Sequence, residues 1–151
     1  MKIVGLALIL VAAPKVLFAG DVDDVRLVVQ KFYTAFDEGF VKPVDFATKD
    51  WYHINPFGGV DPGLEATLKE VKAVHTKFLK GATDKPKSIE VRFASRDVAI
   101  ATVLSTVSAL KGQDGAVQAP HDNVRTFVVV KRESRWLIMQ DHNTNVASPP
   151  G

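Results

Sequence analysis

Four runs rich in Val, Ile, Thr and Phe follow one another after Lys85-Pro86, with short polar turns between them and no helical period to interrupt them. They cover Ser88–Ala94, Val98–Leu110, Asn123–Lys131 and Trp136–Asn143, and the turns fall at Ser95-Arg96-Asp97, Lys111–Gly115 and Arg132–Arg135. β-Branched and aromatic residues suit a pleated, half-buried surface, so this part of the chain reads as consecutive antiparallel strands. The first half has a different rhythm. Val22, Val25, Val28, Val29, Phe32 and Phe36 recur at three-and-four spacing, which predicts a helix over 22–38, capped by Asp21 and stopped by Gly39. A short helix is expected from Pro43 to Thr48, followed by a strand Trp51–Asn55 and the turn Asn55-Pro56-Phe57-Gly58-Gly59. Asp61-Pro62-Gly63 should open a further helix with Asp61 as its cap. Leu64, Leu68, Val71, Val74, His75, Phe78 and Leu79 form its apolar stripe, and Gly81 closes it. Helices first and strands last imply an α+β domain, with N-terminal helices packed on one face of a strongly curved, mainly antiparallel sheet. Such a sheet, closed over by helices, makes a cone whose interior suits a ligand.

A chain of 151 residues suggests one domain. Met1-Lys2 and the apolar run Ile3–Ala13 have the layout of a secretory signal, and the run is shorter than the roughly 20 residues that span a bilayer. Residues 1–20 are therefore read as a signal peptide, with Ala19 the small residue at the cut. Lys15 and Leu17 are unusual so near such a site, which leaves an uncleaved amphipathic leader as the alternative. A domain over 21–146 and a frayed tail over 147–151 complete the division, and the expected location is periplasmic or secreted, with no membrane contact after cleavage. The 19 basic residues exceed the 17 acidic ones only through Lys2 and Lys15, so the domain itself is neutral. No Lys/Arg stripe is interleaved with aromatics, and no nucleic-acid partner is expected. The absence of cysteine excludes disulfides and thiolate chemistry, so packing alone must hold the domain.

Alternation along Trp51-Tyr52-His53-Ile54-Asn55 puts Trp51, His53 and Asn55 on one strand face. Burying an indole, an imidazole and a carboxamide side by side is unfavourable unless something polar meets them, which makes this face a candidate pocket wall. Histidine as a residue type titrates near neutrality, which makes His53 the candidate acid–base residue, the alternative being a core-edge histidine that donates to a backbone carbonyl. Trp51 and Phe57 serve either as packing or as a ligand platform. An inward Arg125 would clamp a carboxylate or enolate oxygen, and an outward one would form an edge ion pair with Asp122. In the last strand, strict alternation turns Trp136, Ile138, Gln140 and His142 toward the helices. Gln140 and His142 are thereby candidate ligand contacts, unless Asp141-His142-Asn143 is a solvated strand end, and Leu137, Met139, Asp141 and Asn143 fall on an outer face suited to a homodimer. No carboxylate can be assigned beside His53. His53, His121 and His142 include no closely spaced pair, and no metal is expected.

The order of these elements resembles the SnoaL-like proteins of the nuclear transport factor 2-like superfamily, and the SgcJ/EcaC group most. The strand running into Asn55-Pro56-Phe57-Gly58-Gly59, the helix after Asp61-Pro62-Gly63, and the pair Thr126–Arg132 and Arg135–Ile138 carry the likeness. It spans residues 23–144 and implies the cone-shaped fold, while the superfamily's activities range from isomerases, cyclases and dehydratases to non-catalytic binding modules. In the ketosteroid isomerase branch a carboxylate base precedes the corresponding turn, where this chain has Asn55, and an amide takes no proton at neutral pH. That branch's oxyanion-stabilising tyrosine falls within one residue of Tyr33, and its second acid has no counterpart here.

Two expectations follow. In the first, a small hydrophobic, carbonyl-bearing molecule enters the cone without a cofactor. His53 exchanges a proton, and Asn55, Tyr33 or Arg125 steadies the negative charge in an isomerisation, cyclisation or dehydration. In the second, the same cavity only binds its ligand, or the sheet face serves dimerisation and assembly.

Overall fold

The valine and phenylalanine stripe of the first helix decides where the core sits. The computed structural model describes residues 18–111 and 115–146, so most of the expected leader and the tail 147–151 lie outside the described residues. Helix α1 (Phe18–Asp37) buries Val25, Val29, Phe32 and Phe36 against the sheet. It begins earlier than its sequence pattern suggested, so Asp21 is not its cap. The Asp21 carboxylate instead accepts from Lys131 Nζ at 2.6 Å and Trp136 Nε1 at 2.9 Å, tying the helix to the last two strands.

The short helix expected from Pro43 does not form. Strand β1 (Ala47–Ile54) takes its place, and the Phe46 carbonyl accepts the Ile138 N–H at 2.8 Å, so pairing with a neighbouring strand outweighs a weak local helix signal. Strand β2 (Val60–Pro62) also corrects the sequence reading. Asp61 pairs opposite His53 and Pro62 opposite Tyr52 at the sheet edge, where a residue without an N–H is tolerated. Helix α2 (Leu64–Thr76) therefore starts at Gly63, whose φ of 90° only glycine adopts easily and whose N–H donates to the Trp51 carbonyl at 2.8 Å.

The remaining strands stand close to where their composition put them: β3 (Asp84–Ser95), β4 (Val98–Val107), β7 (His121–Arg132) and β8 (Arg135–Asn145), with a two-stranded ribbon β5 (Leu110–Lys111) and β6 (Val117–Gln118) between them. Glu133 and Ser134 both take positive φ in the two-residue β7–β8 turn, as a right-twisted hairpin requires. The main sheet runs β2-β1-β8-β7-β4-β3, and only β1 and β8 are parallel. This is the expected α+β cone with a mainly antiparallel sheet. No helix among the described residues is long and apolar enough to cross a membrane.

Phe32 sits at the centre of the core. Its ring meets Tyr33, Phe40, Phe46, Trp51 and Phe127 edge-on, with centroids 5.1–6.4 Å apart. Each such pair adds about 0.5–1.5 kcal/mol beyond the area it buries.

One irregularity in β8 places the site. Val128 pairs with Gln140 and the next residue, Val129, with Ile138, so Met139 is an extra residue opposite a single step of β7. Such a bulge shifts the side-chain alternation by one. Up to Ile138 the even-numbered residues face the core, and beyond it Asp141 and Asn143 do.

Candidate functional site

The bulge brings a carboxylate to the place where none had been assigned. Asp141 is fully buried, and three side chains from two other strands converge on it. Trp51 Nε1 donates to its Oδ1 at 2.8 Å, His53 Nδ1 to its Oδ2 at 3.0 Å, and Arg125 Nη1 to its Oδ2 at 2.5 Å. Register explains the convergence, because His53 pairs directly with Asp141 across β1 and β8, while Arg125 pairs with Asn143 across β7 and β8. Burial pushes the Asp141 carboxyl up, but the His53 hydrogen bond and the Arg125 charge outweigh it and hold it below its ordinary value of 3.8. The aspartate is thus an anion. Since it only accepts, His53 carries its proton on Nδ1, and in the neutral ring Nε2 keeps its lone pair.

His53 and Arg125 line a cavity of about 430 Å³ between the concave sheet face and the two helices. Phe32, Phe36 and Phe40 from the α1 side, and Val71, Val74 and Phe78 from the α2 side, form its apolar wall. Asn143 and Asn145 complete the polar wall on the sheet, and Leu110, Lys111, Gln118 and His121 stand on the ribbon side. Arg125 is 3% exposed and its guanidinium rests 4.7 Å over the Phe32 ring, so its charge is shielded from solvent and packed against an aromatic face.

The other residues singled out in the sequence divide. Asn55 and Phe57 line the cavity, but the Asn55 carbonyl oxygen already accepts the N–H groups of Phe57 and Gly59, each at 2.9 Å. Asn55 therefore shapes the turn and leaves its amide N–H₂ toward Gly59. Phe57 is 88% exposed on that turn, at the mouth. Trp51 and Tyr33 are buried behind the wall rather than in it. Trp51 holds Asp141, and Tyr33 has a hydroxyl without a well-formed hydrogen bond among the described residues and a phenol that burial pushes up to about 12. Gln140 and His142 are corrections. Met139 reverses the alternation, His142 is exposed, and neither residue lines the cavity.

Sequence reasoning missed Asp141 and Asn143, assigned to the outer face, and His75, counted as part of an apolar stripe. The consecutive polar residues Gln140-Asp141-His142-Asn143 were the available signal, since a strand polar on both faces near its end invites a break in alternation. Among the described residues no three of His, Asp or Glu stand close enough to hold a metal ion.

Buried polar groups also cluster beside this site. Among the described residues neither Asp84 oxygen has a well-formed hydrogen bond although the residue is buried, and the Ser105 hydroxyl, likewise without a well-formed one, is its polar neighbour. Burial pushes the Asp84 carboxyl above its ordinary value and Asp37 adds to the effect, while the Ser105 hydroxyl and the Arg125 charge pull it back.

No protein-family model matches the sequence, and no curated protein matches it. Solved structures do. A protein with a cystatin-like fold from Caulobacter vibrioides superposes with a TM-score of 0.77 at 22% identity, covering 85% of this chain and 92% of its own. A ketosteroid isomerase-like protein from Erwinia carotovora atroseptica gives 0.70 at 16% identity, covering 87% and 100%. A nuclear transport factor 2-like superfamily protein from Salmonella enterica gives 0.69 at 15% identity, covering 87% and 96%. At these identities the likeness concerns the backbone, and it bears out the architecture read from the strand and helix order: the chain has the nuclear transport factor 2-like, or cystatin-like, fold.

Proposed function

We propose that the protein binds a small hydrophobic, carbonyl-bearing molecule in the cone and moves a proton on it. The observation that carries this reading is the His53–Asp141 pair on the wall of an otherwise aromatic cavity. With Nδ1–H fixed by Asp141, His53 Nε2 is a base that takes a proton from a carbon beside the ligand carbonyl. The electron pair moves onto the carbonyl oxygen, and Arg125 supplies positive charge in a low-dielectric setting to steady it. Delivery of a proton from His53, after exchange with solvent, to another carbon completes an isomerisation that consumes nothing, so no cofactor is needed. Asp141 touches no ligand in this scheme and acts as a positioning residue.

A second reading has its own support. Asn55 stands at the end of β1 as an amide and its oxygen is already used by the turn, which favours a module that binds without converting. Export and pairing of two copies through the outer sheet face belong to either reading. Half-buried Ile100, Leu104, Val128 and Leu137 lie on that face, and sedimentation showing only a monomer would remove the pairing.

An unbiased metabolite screen by native mass spectrometry, repeated in deuterated water, separates the two. Wash-in of solvent deuterium by the wild type and none by His53→Gln supports proton transfer. A ligand released unlabelled by both proteins leaves binding alone.

A further inference from the structure

Helix α2 gives the cavity wall two polar residues, the exposed Glu70 and the buried His75. Its Nδ1 donates to the Val71 carbonyl one turn earlier, at 2.7 Å, and the ring is packed edge-on against Phe36 and Phe40, with centroids 4.6 and 5.5 Å away. A ring nitrogen that donates to a carbonyl leaves the other as an acceptor in the neutral imidazole. That other nitrogen, Nε2, is buried and has no hydrogen-bond partner among the described residues, although His75 lines the cavity. Buried acceptors are nearly always satisfied, and aromatic neighbours offer nothing here that satisfies one. Of the three imidazoles that line the cavity, the two buried ones, His53 on the sheet and His75 on the helix, thus share one tautomer.

We propose that His75 is a specificity-determining residue whose Nε2 accepts a hydrogen bond from a hydroxyl or N–H group on the side of the ligand turned to α2. This rests on the cavity being the ligand site, and it narrows the ligand class. The bound molecule has an apolar, ring-sized body against the phenylalanine wall, a carbonyl on the Arg125 side, and a donor on the opposite side. An analogue that replaces this donor by a methoxy group leaves Nε2 unpaired and adds bulk against it, so it is rejected.

The test uses 2-naphthol and 2-methoxynaphthalene as probes with the full-length chain, followed by fluorescence titration and by the ¹⁵N resonances of the histidine rings. In the free protein His75 Nε2 gives the signal of an unprotonated nitrogen. It shifts on addition of 2-naphthol and not of 2-methoxynaphthalene, and the first probe binds about tenfold tighter, the preference expected of one buried hydrogen bond. In His75→Phe the preference falls to about one, while 2-methoxynaphthalene still binds. A protonated Nε2 in the free protein, or a preference that survives His75→Phe or vanishes instead in His53→Phe, overturns the assignment and leaves the cavity as the ligand site. Should neither probe enter, the cavity reading falls and this one with it. The ¹⁵N measurement decides the matter even if His75→Phe fails to fold.

Discussion

His53 Nδ1 lies 3.0 Å from Oδ2 of Asp141, a carboxylate with no exposed surface and with Arg125 as its counter-charge. The two residues are 88 positions apart in the chain, and they meet because β1 runs parallel to β8 with His53 directly opposite Asp141. Removing the carboxylate charge while keeping its shape, as in Asp141→Asn, leaves a buried guanidinium uncompensated. Breaking a buried pair in this way costs about 3–5 kcal/mol, and urea unfolding at neutral pH is expected to show a loss of that size. An unchanged midpoint would mean that Asp141 is not an anion in the native protein.

The same residue sets an acid limit. Because folding lowers the Asp141 pKa below its ordinary 3.8, its contribution is present above the unfolded value and disappears as pH falls through the folded one. The wild type should therefore lose stability steeply below about pH 4, the unfolded carboxylate range. Asp141→Asn should lose less over that interval, so unfolding curves of the two proteins converge in acid.

Asp84 has the opposite sign. Its folded pKa is raised, so the native state favours the protonated carboxyl, and stability attributable to it is full below the unfolded value and is lost as pH rises through the folded one. Asp84→Asn removes that loss. Its melting temperature should exceed that of the wild type at pH 7 and approach it near pH 4, and a destabilised variant at pH 7 would show that the carboxylate has a partner after all.

Asn55 holds the mouth through an acceptor oxygen, not through its amide. Asn55→Asp keeps that oxygen and should unfold like the wild type, whereas Asn55→Leu leaves two turn N–H groups without it and should lose about 1–2 kcal/mol. Gly59→Ala tests the same turn from the other side, because a Cβ there would fall 2.4 Å from Asn55 Nδ2. It should destabilise the wild type measurably and do so less in an Asn55→Ala background, a non-additivity read by a double-mutant cycle.

His142→Ala distinguishes the two phases of β8. With His142 exposed and Asn143 buried, the substitution should stay within about 0.5 kcal/mol of wild-type stability and leave probe binding unchanged. A clear loss of binding would return His142 to the cavity and dispose of the Met139 bulge as the determinant of the site.

Much of this protein is readable before any coordinates are consulted. The Val and Phe spacing of α1, the β-branched runs of β3, β4, β7 and β8, and the Gly39 stop follow from local periodicity and backbone preference, which act over a few residues. Trp51 and His53 turned inward as their alternation required. Apart from the earlier start of α1, the departures described above come from strand pairing. Ala47–Asp50 became strand because β8 was there to bond it, Asp61 and Pro62 extended the sheet edge instead of starting a helix, and Met139 bulged against one step of β7.

That last event is the one that mattered for chemistry. Sequence by itself determined which residue types were available and which half of the chain would be helix or sheet, because those are properties of neighbours along the chain. Only the tertiary structure decided that Asp141, rather than His142, faces His53. A strand's side-chain direction has a period of two, and a single extra residue, forced by the bend of a sheet that must close over its helices, reverses everything beyond it.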